Sequence, residues 1–177
     1  MSPRILVAGI GNMFLADDGF GVELARRLAE VTFPDGVDVA DYGISGMHLA
    51  YDLMSGYDTT ILLDATQRGE RPGTVTVVEL DTEQPISKQV DGPVAPPSAI
   101  DAHGMQPDMV IDLLVMLGGK PGRMLLVGCE PAEITDRIGL SAPVTAALDG
   151  ALRAVVELVG TELSTMEKPT AEVGREV

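Results

Sequence analysis

The stretch from Ile5 to Val22 constrains the fold of this chain more than any other. It begins with Ile5-Leu6-Val7-Ala8, a short apolar run of the kind that forms a buried strand. Gly9, Gly11 and Asn12 then let the backbone turn. The acidic pair Asp17 and Asp18 comes next, after which Phe20, Leu24, Leu28 and Val31 recur at helical spacing. Strand, glycine turn and helix in that order build an open α/β sheet, whose ligands bind beyond the carboxyl ends of its parallel strands.

The sign of the charge in the turn is unusual. A phosphate-binding loop offers bare backbone amides and a helix N-terminus to an anion, whereas here Asp17 and Asp18 occupy that place. Two roles are open: a carboxylate can cap the helix by accepting an orphan amide proton, or it can turn outward to a cation. Capping is the expected role for at least one of the pair, and Asp17→Asn is expected to cost little because Asn caps about as well. Phe14 stands where the third glycine of a dinucleotide fingerprint belongs, which argues against a nicotinamide or flavin enzyme.

A chain of 177 residues forms one domain and buries roughly 70% of its unfolded surface. With 3% aromatic residues and no Trp, its core must be aliphatic, with the 9 Met as filler. The net charge of −15 argues against nucleic acid and anionic membranes as partners. Cys129 is the only cysteine, so neither an intrachain disulfide nor a thiolate zinc site is expected. The first strand starts too early for a signal peptide and no apolar run is long enough to span a bilayer, so a cytoplasmic, reduced setting is expected.

Further strands are predicted over 37–42, 58–65, 74–80 and 123–129, the second of these central and the third toward an edge. Helices are predicted from the acidic pair to about 31, over 47–54 and 107–117, and from 143 to 163. The 81–102 segment has no periodic pattern and four prolines, Pro85, Pro93, Pro96 and Pro97, which marks it as a functional or mobile loop. The domain therefore covers 1–163, with a polar tail over 164–177 expected to fray. The alternation implies a mainly parallel sheet with helices on both faces. Its carboxyl rim gathers Gly11, Asp18, Gly43, Asp64, His103 and Glu130.

Nucleophiles come out poorly on that rim. Ser45 lies in Gly43-Ile44-Ser45-Gly46-Met47, where Met47 replaces the last glycine of a nucleophile elbow. Cys129 lies in an apolar strand, where packing is the ordinary role. His48 is expected to be structural and half-buried. Asp64, by contrast, ends a hydrophobic strand, where a charge is costly unless paired or metal-bound. Two carboxylates and an imidazole could hold a divalent metal such as nickel, zinc or iron, weakly and with open positions.

The chain resembles a known family at several of these places. Gly9-Ile10-Gly11-Asn12 with Leu15-Ala16-Asp17-Asp18-Gly19-Phe20-Gly21-Val22 is similar to the N-terminal signature of the nickel–iron hydrogenase maturation endopeptidases. The likeness continues through Gly43-Ile44-Ser45-Gly46-Met47, Leu63-Asp64-Ala65, the His103 region, Val127-Gly128-Cys129-Glu130-Pro131 and Ile138-Gly139-Leu140-Ser141, over about the first 160 residues. It implies a single α/β domain with a twisted, mostly parallel five-stranded sheet. It also implies a cytoplasmic endopeptidase, expected to be a monomer, that removes the C-terminal extension of a hydrogenase large-subunit precursor after nickel insertion. The family's three metal-contacting positions fall on Asp18, Asp64 and His103, which the resemblance makes both the catalytic and the metal residues.

Nickel would then be supplied by the substrate, with zinc or cadmium able to replace it in vitro. Two departures stand out: Ile44 replaces a common Thr, and Asp101-Ala102 precedes the histidine where Ser-x-His is frequent, making Asp101 an added ligand or a partner of the histidine. The competing class is a non-catalytic nickel- or peptide-binding maturation chaperone, which would need the same rim without proton-transfer geometry.

Overall fold

The computed structural model describes residues 3–82 and 107–167. His103, Asp101 and nearly all of the proline-bearing segment lie outside the described residues, as does the end of the tail from 168 onward.

The predicted strands form at Ile5–Ile10 (β1), Val37–Gly43 (β2), Thr59–Ala65 (β3), Val75–Glu79 (β4) and Arg123–Cys129 (β5). They make a single five-stranded sheet in the order β2-β1-β3-β5-β4. β1 pairs in parallel with β2 and β3, and β3 in parallel with β5. β4 lies at the edge and runs antiparallel to β5, which suits the wetter face expected of it. β3 is central, and every residue from Thr59 to Asp64 is buried.

The helices are Phe20–Leu28 (α1), Gly46–Leu53 (α2), Pro107–Met116 (α3) and Ala142–Glu167 (α4). Side chains alternate across a strand, so β1 feeds both layers at once. Ile5 and Val7 pack with Phe20, Leu24 and Leu28 of α1 and Val144, Leu148 and Val155 of α4. Leu6, Ala8 and Ile10 face Leu49 and Leu53 of α2 and Val110 and Leu114 of α3. No helix among the described residues is long and apolar enough to cross a membrane.

Three helix boundaries differ from what the sequence predicts. The acidic pair does not open α1 directly: a 3-10 turn, Ala16–Gly19, comes first, and α1 closes at Leu28 rather than near 31. α4 runs past the predicted end at 163 to Glu167. There Leu163 and Met166 pack against the core, while Ser164 and Thr165 turn their hydroxyls back onto the carbonyls of Gly160 and Thr161. A polar sequence pattern hides such back-bonding, since these side chains satisfy themselves on the preceding turn.

Close approach of α1 to the sheet depends on Gly21. A Cβ there would run into the Leu63 and Ile10 carbonyl oxygens, both backbone atoms with little freedom to move. Gly21→Ala should therefore lower stability by about 2 kcal/mol or more, in the range of core overpacking. Urea denaturation checks this; an unchanged midpoint would show that α1 can shift without strain.

Candidate active site

β1 has β2 on one side and β3 on the other, so the chain's winding reverses between β1 and β3, the switch point where open α/β sheets bind ligands. The loop after β1 turns there at Gly11, whose φ of +127° is a region that favours glycine. A Cβ on Gly11 would also strike the carbonyl oxygen of Asp18. The Gly11 amide donates to the Gly43 carbonyl at 2.9 Å, tying the end of β2 to the same place. Asn12 donates its amide to Asp18 Oδ2 at 2.7 Å and accepts the Phe14 amide on its own side chain at 3.0 Å. Asp18 is thus anchored to the first residues of its own loop.

Asp17 faces the other way, with no exposed surface. Its Oδ1 accepts the Ser141 amide at 2.6 Å, and its Oδ2 accepts the Ala132 and Glu133 amides at 2.8 and 3.1 Å and the Ser141 hydroxyl at 2.8 Å. Burial pushes this carboxyl toward a higher pKa, but the bonds from Ser141, Glu133 and Ala132 outweigh it and leave the pKa below the ordinary value. The expected helix cap is therefore not what Asp17 provides. α1 takes Gly19 as its N-cap without a side-chain bond, and Asp17 instead ties its loop to the 132–141 loop. Ala16 beside it has φ +50°, strained for a residue with a Cβ, and its amide donates to the Arg137 carbonyl at 2.7 Å.

Asp64 ends β3 in register with Gly128 of β5 and is only 9% exposed. Burial pushes its pKa well above the usual carboxylate range, and the charge of Asp18 pushes it further, against a bond from the Ala65 amide. Asp64 thus holds its proton more tightly than an ordinary carboxyl, beside Asp18. The structure brings these two predicted residues together, while His103 lies outside the described residues. Among the described residues no group of three or more His, Cys, Asp or Glu could hold a metal ion. The two carboxyls nevertheless suit a cation chemically: burial is the main cause of the raised pKa of Asp64, and the second, repulsion by Asp18, is one that a positive charge would relieve.

The remaining rim residues take structural places. Cys129 is buried, and its thiol is pushed up to about 11 by burial and then by the charges of Asp17 and Glu130, which suits packing and not nucleophilic attack. Glu130 accepts the Arg68 and Gly69 amides at 2.7 and 3.3 Å, clamping the loop after β3. His48 is exposed rather than half-buried, and its Nδ1 lies 2.7 Å from Ser45 Oγ. That bond joins neighbouring residues on the first turn of α2. The Asp17 tether escaped the sequence reading because its partners stand more than 110 residues away and three of its four bonds come from backbone groups, which side-chain identity does not encode.

A family model for the hydrogenase maturation proteases matches residues 22–158. The chain is 38% identical over 160 residues to the hydrogenase expression/formation protein HoxM of Azotobacter vinelandii, covering 89% of this chain and 73% of that one. It is 32% identical over 155 residues to the hydrogenase 2 maturation protease of Escherichia coli, covering 86% and 88%. Its fold matches the hydrogenase maturating endopeptidase HybD of Escherichia coli with a TM-score of 0.69 at 30% identity, over 90% of this chain and 93% of that one. A hydrogenase 2 maturation peptidase from a thaumarchaeote matches with a TM-score of 0.66 at 31% identity, over 89% and 98%.

The two buried carboxyls should affect stability in opposite directions. In Asp17→Asn one side-chain oxygen becomes an NH2 group facing a donor, so stability should fall by about 2–3 kcal/mol. Because the folded pKa of Asp17 is depressed, its contribution is present above the unfolded value near 3.9 and is lost as pH falls through the folded one. The deficit should therefore hold from pH 7 to about 4 and shrink only below that. For Asp64 the folded pKa is raised, so the unfolded chain releases its proton first and stability falls as pH rises through that window. Asp64→Asn should melt higher than wild type at pH 7, with the gap closing near pH 4. Thermal melts from pH 7 to pH 3 test both; an Asp64→Asn that melts lower at neutral pH would contradict the raised pKa of Asp64.

Proposed function

The chain belongs to the hydrogenase maturation protease family, and from that membership we propose that it is the endopeptidase that removes the C-terminal extension of a nickel–iron hydrogenase large-subunit precursor once nickel is in place. The observation that supports a catalytic role is the carboxyl pair at the switch point, where burial and then the charge of Asp18 raise the pKa of Asp64. Two carboxyls whose environments separate their protonation states form an acid/base pair. In this reading Asp18 takes a proton from the water that attacks the scissile carbonyl. Asp64 gives its proton to the leaving amine as the C–N bond breaks.

Asp18, Asp64 and His103 form an oxygen and nitrogen donor set that would meet the nickel carried by the substrate. That metal supplies a positive charge that positions the peptide. Asp64 releases its proton more readily beside a cation, so the acid would be strongest when the correct substrate is bound. The same donor set accepts zinc or cadmium in vitro, weakly, because it holds no thiolate. The enzyme works as a monomer in the cytoplasm.

Side-by-side digestion of nickel-loaded and nickel-free precursor tests this function. The loaded form should be cut and the nickel-free form should stay intact, although its extension is unchanged. Asp18→Asn and Asp64→Asn should each lower cleavage by at least about 100-fold, the low end for loss of a general acid or base. Equal cleavage of both precursors would overturn nickel reading. A precursor that is bound and never cut would favour the non-catalytic chaperone. Calorimetry with nickel, zinc and cadmium tests the donor set independently: weak binding should disappear in His103→Ala.

A further inference from the structure

The loop that carries Asp18 commits nearly all of its hydrogen-bond donors to its own shape. The Gly11 amide goes to Gly43, the Asn12 amide to Asp18 Oδ2 and the Phe14 amide to Asn12 Oδ1. The Leu15, Ala16, Asp17 and Asp18 amides go to the carbonyls of Asn12, Arg137, Glu133 and Leu15. Side-chain donors along the rim are committed too: Ser45 Oγ pairs with His48 Nδ1, and Arg26 Nε donates to Asp41. Among the described residues, the Met13 amide and Asn12 Nδ2 are the donors of residues 11–18 that this network leaves over.

The orientation of the Asn12 amide group is fixed. The Phe14 N–H needs an acceptor, so Oδ1 faces it at 3.0 Å and Nδ2 takes the other branch of the planar group. The turn therefore uses the oxygen of this side chain and not its nitrogen. A serine hydroxyl accepts such a bond as well, so the turn alone does not call for an NH2 group.

Position relates that group to the chemistry. Bond lengths keep Nδ2 within ~5 Å of the backbone nitrogen of the same residue, and that nitrogen lies 2.7 Å from Asp18 Oδ2. The donor thus stands within about 8 Å of the carboxylate. A water held by Asp18 at ~2.8 Å, an oxyanion ~2.3 Å from the attacking oxygen and a donor ~2.9 Å beyond it span the same length. Both Asn12 and Asp18 are half-buried, so a seated peptide would exclude the remaining water and strengthen the bond.

We propose that Asn12 is a catalytic residue whose Nδ2 donates to the oxyanion formed on the scissile carbonyl. The proposal rests on the endopeptidase reading and adds to it the group that stabilises the transition state. As the water oxygen bonds to the carbonyl carbon, Asp18 takes a water proton and the carbonyl π pair moves onto oxygen, where Nδ2 meets it. The pair then returns to re-form C=O, the C–N bond breaks, and the leaving nitrogen takes the proton of Asp64. The proton left on Asp18 passes back to Asp64 through solvent.

The test uses the full chain and nickel-loaded cognate precursor, with initial rates read from the gel shift on loss of the extension. Asn12→Ser keeps an acceptor for the Phe14 amide and keeps the backbone amide on Asp18, whereas Asn12→Ala keeps only the latter. Rates are taken at a temperature where every variant is folded. Asn12→Ser should leave the Gly11 and Asp18 amide NMR signals in place yet lose about 100-fold in kcat, with KM within about threefold, as for one missing oxyanion donor. Asn12→Ala should lose at least as much kcat and also melt lower. A purely structural Asn12 predicts instead that serine restores what alanine loses. Asn12→Ser cutting within about threefold of wild type would overturn the proposal, as would a loss confined to KM. An active wild type with an active Asn12→Ser defeats the proposal alone; a wild type that binds precursor and never cuts it defeats the endopeptidase reading, and the proposal with it.

Discussion

The buried carboxylate of Asp17 is the interaction on which the geometry of the rim depends. It accepts four hydrogen bonds from a segment more than 110 residues away, three of them from backbone amides. A charge-assisted bond is about twice as strong as a neutral one, so this carboxylate can offset the local cost of the left-handed backbone at Ala16, of order 1–3 kcal/mol. The strained turn and the tether thus form one device. With Ala16 and Asp17 fixed, the next residue, Asp18, is directed toward β3.

Three carboxyls within this small region have been given three different environments. Asp17 is buried among donors that lower its pKa; Asp64 is buried beside a negative neighbour, and the bond from the Ala65 amide does not keep its pKa from rising. Asp18 accepts the Asn12 amide and faces Asp64 across the switch point. Burial alone would push all carboxyls the same way. The number of hydrogen-bond donors supplied by the backbone decides which of them keeps its charge.

The sheet makes this arrangement possible because its central strands are buried on both faces. β1 and β3 run side by side with every residue from Ile5 to Ile10 and from Thr59 to Asp64 buried, so their carboxyl ends are rigid platforms. Gly11 and Gly21 then bring the first loop and α1 so close that Asp18 reaches the end of β3. Larger residues at either position would separate the two carboxyls by forcing backbone against backbone.

Much of this was legible in the chain itself. The apolar runs, the glycine turn and the helical periods specified five strands, four helices and a mainly parallel sheet, because hydrophobic period and turn chemistry are local properties. The cost of an ionised aspartate at the end of a buried strand singled out Asp64, and the family likeness singled out Asp18 with it. The role of Asp17 was not legible: adjacent and identical to Asp18, it differs only in the donors it meets, and those lie on a distant loop. The exposure of His48 and the core contacts of Leu163 and Met166 near the end of α4 belong to the same class. Each is set by which segments pack together, and segments far apart in a chain are brought into contact only by the tertiary fold.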